Sequence, residues 1–262
     1  MTTRRGIRAP WPILIPALVA IAFLLTPLVA LLAAAPWGQL ADQLTNPLVR
    51  KALWLSLSTA TVATLITIIL GVPLAWLLAQ GSWRGRRVLR ALVVLPLVLP
   101  PVVGGVALLL AFGRRGLLGG PLYDWLGVSI PFTPVAVVMA ETFVALPFLV
   151  LTVEGALNSR EHRYEDIAAS LGASRWSVAR RVTLPLVAPA IAAGAVLAWA
   201  RAIGEFGATI TFAGNFPGRT QTLPLAVYQA LETDRDAAIV MSLVLVVASL
   251  SVLVSMRSRW QV

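Results

Sequence analysis

Residues 158–185 read NSREHRYEDIAASLGASRWSVARRVTLP, a charged segment set between two apolar runs at about 132–157 and 183–213. Each run is long enough to cross a hydrocarbon layer, which takes about 20 apolar residues of helix. Working outward, further runs fall at about 12–35, 53–80, 88–113 and 236–256. Composition agrees, with 58% hydrophobic and only 12% charged residues, whereas a soluble domain carries roughly 25% charged residues. The chain is therefore predicted to be an all-α membrane protein with six transmembrane helices.

An even number of spans puts both termini on one side. Positive residues resist translocation, so their distribution selects the side. Arg4, Arg5, Arg8, Arg84, Arg86, Arg87, Arg90, Arg160, Arg163, Arg175, Arg180, Arg181, Arg257 and Arg259 flank one set of span ends, fourteen in number. Arg50, Lys51, Arg114, Arg115, Arg219 and Arg235, six in number, flank the other set, and Arg201 falls inside the fifth run. Both termini and the 158–185 loop are predicted cytoplasmic. Trp11 and Trp37 lie about 39 Å apart along a helix, close to the ~40 Å between headgroup regions, and Trp260 suits an anchor for the last span. The first run exceeds the 7–15 residues usual for a signal-peptide core, and Pro36-Trp37 is a poor cleavage site, so it reads as a retained helix.

The same inventory excludes several activities. Cysteine is absent, His162 is the only histidine and Lys51 the only lysine, so there is no Gly-Lys-Ser/Thr phosphate loop and no thiolate metal site. Any nucleotide hydrolysis must come from a partner. The net charge of +10 sits in short clusters between apolar runs, a topology signal and not a nucleic-acid stripe. An intramembrane enzyme lacks a constellation, with no paired Asp in the spans. An ion-coupled secondary transporter would use Glu141 but leaves the 158–185 segment without a purpose.

Helix breakers gather inside the runs: Gly71 and Pro73 in the second, Pro96, Pro100, Pro101, Gly104 and Gly105 in the third, and Pro147 in the fourth. Broken backbone survives in lipid where protein or a water-filled cavity satisfies it, so such helices line a pathway or pack tightly. A single proline kink more often shapes a bundle. The cluster in the third run favours a pore element.

Within the loop, Asn158 and Glu161 have the spacing of a capping box, and Tyr164, Ile167, Ala168 and Leu171 form an apolar stripe that Gly172 ends. Ser174 is placed to cap a second short helix with Trp176, Ala179 and Val182, and Arg180 and Arg181 near its C-terminus suit the helix dipole. Leu184-Pro185 fits the first turn of the next span. Periodicity alone leaves two readings level: a collar lying on lipid, or an element docked in a partner's groove.

Glu165-Asp166-Ile167-Ala168-Ala169-Ser170-Leu171-Gly172, followed after nine residues by Val182-Thr183-Leu184-Pro185, resembles the EAA signature of type I, binding-protein-dependent ABC importer permeases. Asp166 stands for the family's Glu, Ile167 for the first Ala, Ala168 for the second, and Val182 for the Ile. The resemblance implies that Tyr164, Glu165, Asp166, Ile167, Ala168, Ala169, Leu171, Gly172, Ala173, Ser174, Val182, Leu184 and Pro185 belong to a coupling element pressed into an ATPase subunit. Glu165 and Asp166 would face basic groups of that partner, Ala168 would allow close approach, and Gly172 would turn the chain toward Ala173. It also implies that ATP and Mg are bound by the partner and no cofactor by this chain. The implied assembly is a homodimer of permeases on two cytoplasmic ABC ATPases, served by an extracytoplasmic binding protein.

Gly204-Glu205-Phe206-Gly207-Ala208-Thr209-Ile210-Thr211-Phe212-Ala213-Gly214-Asn215, together with Gly71-Val72-Pro73 and Leu95-Pro96-Leu97-Val98-Leu99-Pro100-Pro101, resembles molybdate permeases. Cargo is thereby expected to be molybdate or another tetrahedral oxyanion, with tungstate and sulfate or thiosulfate as alternatives. The expected division is a tail, first helix and external loop at 1–50, a permease core at 51–256 containing the 158–185 coupling loop, and a tail at 257–262 in the cytoplasm. Pro100, Pro101, Gly104, Gly204, Glu205, Phe206, Gly207, Thr209 and Thr211 are expected along the pathway, with the two threonines touching the anion in passing. Arg201 and Glu205, four apart, are expected to form an ion pair, in a buried network with Glu141.

Overall fold

A computed structural model describes residues 11–81, 83–160 and 163–257. Arg4, Arg5, Arg8, Glu161, His162, Arg259 and Trp260 lie outside the described residues. The chain is helical: α1 Trp11–Ala33, a 3-10 turn at Trp37–Gln39, α2 Leu40–Thr45, α3 Pro47–Ala79, α4 Arg86–Val98, α5 Pro101–Phe112, α6 Gly119–Leu126, α7 Pro134–Ser159, α8 Arg163–Ser170, α9 Arg175–Val178, a π turn at Ala179–Thr183, α10 Leu184–Ile203, α11 Gly207–Phe212, α12 Leu223–Thr233 and α13 Arg235–Arg257. Five helical stretches are long and apolar enough to cross a membrane, and the bent pair α4 and α5 makes a sixth if it is counted as one span.

Local chemistry sets the element ends. Asn46 accepts the Leu48 N–H at 2.9 Å ahead of Pro47, so α3 starts ahead of the apolar run at about 53–80. Thr133 caps α7 in the same way, accepting from Ala136 ahead of Pro134. The third apolar run is not one straight helix. Pro100 and Pro101 bring no N–H groups, Leu99 and Pro100 take extended conformations, and α4 and α5 diverge by 119°. The fifth run also ends early. Regular helix stops at Ile203, Gly204 to Phe206 leave helical geometry, and the short α11 follows. Asn158 does not cap a new helix, because α7 continues through it to Ser159.

Three helices form the centre. α3, α7 and α10 share the largest core cluster, in which the Leu149 side chain lies against Gly71 of α3 and its backbone against Gly194 of α10. A Cβ on Gly71 would stand 2.6 Å from Leu149 Cδ2, and one on Gly194 would stand 3.2 Å from Leu149 Cα. Small residues thus permit close helix contact, since lipid provides no hydrophobic drive between helices. A second cluster joins α5, α7 and α11, and a third joins α3, α12 and α13. α1 has no buried residue and touches the bundle chiefly along α13, presenting apolar side chains around its whole circumference, as a lipid-facing helix does.

Candidate functional site

Two regions carry the residues singled out by sequence. The first is the short helix pair between α7 and α10. α8 ends in a Schellman turn: Gly172 at φ +84° sends its N–H to Ala169, and Ala173 sends its own to Ala168. The left-handed position favours glycine, and a Cβ there would meet nothing within 4 Å, so Gly172 faces open space. Ser174 caps α9 by accepting the Ser177 N–H at 3.2 Å. The π turn then carries α9 into α10 as one helical stretch from Arg175 to Ile203. It sits where Pro185 interrupts the α-helical ladder, and Leu184 donates five residues back to Ala179.

The exposed surface of this element carries large apolar side chains beside Arg163, Asp166 and Arg175. Tyr164, Ile167, Leu171 and Trp176 all stand in the open, Leu171 at 82% exposure and Trp176 at 73%. Asp166 and Ala169 are exposed beside them, while Ala168, Ala173, Val182 and Leu184 are half-buried and Ser174 and Pro185 lie at the surface. Glu165, expected to meet basic groups of a partner, is engaged within the chain. Its carboxylate turns back into the chain, receiving Arg160 Nε at 2.9 Å and Arg160 Nη2 at 3.2 Å, and the Thr183 hydroxyl donates to the same Oε1. Asp166 is the carboxylate that faces outward.

The second region is the junction of α5, α10 and α11. Arg201 Nη2 lies 2.6 Å from Glu205 Oε2, so the expected pair forms even though α10 ends between the two residues. Glu205 Oε1 accepts the Ala208 N–H at 2.7 Å and thereby holds the start of α11. Glu141 does not bond directly to this pair. It accepts from the Thr59 hydroxyl of α3 at 3.0 Å and has no ion-pair partner among the described residues.

The residues expected along a pathway meet here, but in close packing. A Cβ on Gly207 would stand 2.8 Å from Pro101 Cβ, one on Gly104 3.0 Å from Phe143, and one on Gly105 1.7 Å from Thr211 Oγ1. Thr209 is fully buried, and the Thr211 hydroxyl bonds back to Gly207 and Ala208. Phe206 stacks at a tilt on Tyr228, with ring centres 5.2 Å apart. Pro100, Pro101 and Gly204 lie at the surface of the junction. The region is a hinge-like contact of glycines against a broken helix.

Sequence reasoning missed three polar links. Glu154 of α7, 1% exposed, lies 3.6 Å from Arg86 and 3.7 Å from Arg90 of α4. Ser56 of α3 accepts the Leu223 N–H at 2.7 Å and so caps α12. Thr59 holds Glu141, as above. An acidic residue inside an apolar run opposite an arginine cluster was a readable signal for the first; the other two have none. Among the described residues no group of His, Cys, Asp and Glu is placed to hold a metal ion.

Residues 71–259 match the family described as binding-protein-dependent transport system inner membrane component. The molybdenum transport system permease protein ModB of Mycobacterium tuberculosis is 49% identical over 245 residues, covering 94% of this chain and 92% of that protein. ModB of Escherichia coli is 40% identical over 210 residues, covering 80% of this chain and 92% of its own. A chain in the crystal structure of a bacterial alginate ABC transporter, bound to its periplasmic protein, superposes with a TM-score of 0.76 at 18% identity, over 96% of this chain and 93% of that one. At that identity the likeness concerns the fold.

Proposed function

This chain belongs to the inner membrane components of binding-protein-dependent transport systems, and on that premise we propose that it is the membrane-spanning subunit of an ATP-driven importer of molybdate or a similar tetrahedral oxyanion. The observation that carries this reading is the α8 and α9 pair, a short helical element that exposes Tyr164, Ile167, Leu171 and Trp176 on a chain whose sequence has no Gly-Lys-Ser/Thr phosphate loop. Helix-in-groove docking on an ATPase accounts for that exposure. The molybdenum permeases at 40% and 49% identity support the choice of cargo.

In this reading the chain crosses the cytoplasmic membrane six times, counting the bent α4 and α5 as one span, with both termini and the docking pair in the cytoplasm. Two copies form one pathway, two ATPases drive it, and an extracytoplasmic binding protein supplies the anion. Closure of the ATPases moves α8 and α9; the continuous stretch to α10 carries the motion to Gly204, where α10, α11 and α5 meet. That junction suits a gate, because glycines and a broken helix let packed elements reseat between two arrangements. Pathway contacts from Thr209, Thr211 and nearby backbone amides would be weak, as passage requires.

The test is uptake of radiolabelled molybdate into proteoliposomes carrying this chain, the ATPase and the loaded binding protein. Uptake that needs ATP and all three components is expected. Molybdate uptake that persists without the ATPase refutes an ATP-driven subunit, and uptake of sulfate in preference to molybdate replaces the cargo. Sidedness is checked separately by thiol labelling in intact cells, using single cysteines introduced at Ser174, since the chain has no native cysteine.

A further inference from the structure

We infer that Glu165 is a positioning residue that ties the docking helix to the membrane bundle, transmitting force within this chain, and is not a contact to the ATPase. The inference rests on the function proposed above. α8 has no buried residue and packs principally on α9 and the π turn, so apolar burial does little to hold it against the bundle. What fastens it is polar. Arg160, the C-cap of α7, grips both oxygens of Glu165 while also donating to the Leu157 carbonyl at 2.5 Å.

Thr183 completes the link from the other side. It is 1% exposed, closes the π turn at the head of α10, and donates to Glu165 Oε1. One carboxylate therefore joins α8 to the ends of α7 and α10, which pack extensively on each other. A bidentate guanidinium pair fixes direction as well as distance, so a push on the exposed face of α8 reaches both helices and is not absorbed by a loose loop. Arg160 and Glu165 are about equally shielded, with side chains 15% and 16% exposed, which lowers screening by water and salt.

The test uses the complete complex with its ATPase and binding protein, comparing Glu165→Gln, Thr183→Val, and the reversal Arg160→Glu with Glu165→Arg. Three quantities are read: ATPase co-purification, ATP hydrolysis, and anion imported per ATP hydrolysed. Glu165→Gln is expected to keep co-purification and hydrolysis while import per ATP falls about tenfold, the scale of losing one charged hydrogen-bonded pair. Thr183→Val, which keeps the ion pair, is expected to fall by less. The reversal is expected to recover most of the loss, which is impossible if Glu165 binds a basic group on the ATPase. Unchanged import per ATP in Glu165→Gln, or lost co-purification that the reversal does not restore, overturns the inference. If Glu165→Gln fails to reach the membrane, the Thr183→Val and reversal results decide in the same terms. Failure of the unmodified chain to bind any ATPase would overturn the proposed function itself, and this inference with it.

Discussion

Replacing Arg201 with alanine should harm the protein more than replacing Arg201 and Glu205 together. In the native chain Glu205 is 2% exposed and its charge is met by Arg201 at 2.6 Å and by the Ala208 N–H at 2.7 Å. Arg201→Ala leaves a buried carboxylate with one backbone donor, and stranding a buried charge costs about 3–5 kcal/mol. The Arg201 side chain is 27% exposed, which places the loss toward the lower end. Removing Glu205 as well eliminates the stranded charge but takes away the cap of α11, a loss of about 1 kcal/mol. Side-chain volume lost at the same buried point adds about 1 kcal/mol more. The double variant should therefore be more stable than the single one by about 1–2 kcal/mol, and Glu205→Ala completes the double-mutant cycle that isolates the coupling. For a chain of this size that gap corresponds to about 2–8 °C in melting temperature. Thermal unfolding of detergent-purified protein, followed by the fluorescence of its nine tryptophans, measures it. If Arg201→Ala melts at or above the double variant, the pair is not what balances Glu205.

Gly105→Ala should lower the melting temperature by the equivalent of about 1–3 kcal/mol, because its Cβ would stand 2.7 Å from Ala208 O and 2.9 Å from Ala208 Cα, backbone that no rotamer change relieves. A melting curve like the parent's would mean that α5 and α11 are not in that contact. Leu171→Asp should leave stability within about 0.5 kcal/mol, since the residue lies at the open surface, yet abolish co-purification with the ATPase. Normal co-purification would remove the docking role from that face. Ser56→Ala should cost about 1–3 kcal/mol by leaving the buried Leu223 N–H without its acceptor, read again by thermal unfolding, with no change expected at the docking pair. A neutral result would place another acceptor at the head of α12.

Periodicity and run length are properties of a few neighbouring residues, and what depends on them was readable from sequence alone. Four of the six apolar runs reappear as continuous helices, and the caps at Ser174 and Gly172, the exposed Tyr164, Ile167 and Leu171 and the pairing of Arg201 with Glu205 also reappear in the structure. Two prolines at Pro100-Pro101 announced a break in the third run. They could not set its 119° angle, which depends on what α4 and α5 pack against. Hydropathy likewise ran on past Ile203, because an apolar segment reads the same whether it continues as helix or folds back as α11. Tertiary contact decided the rest: that Glu165 turns inward to Arg160 and Thr183, that Glu141 meets Thr59, that Glu154 faces Arg86 and Arg90, and that Ser56 caps α12. A carboxylate's partner is chosen by distance through space, and folding brings together groups that the linear order keeps far apart.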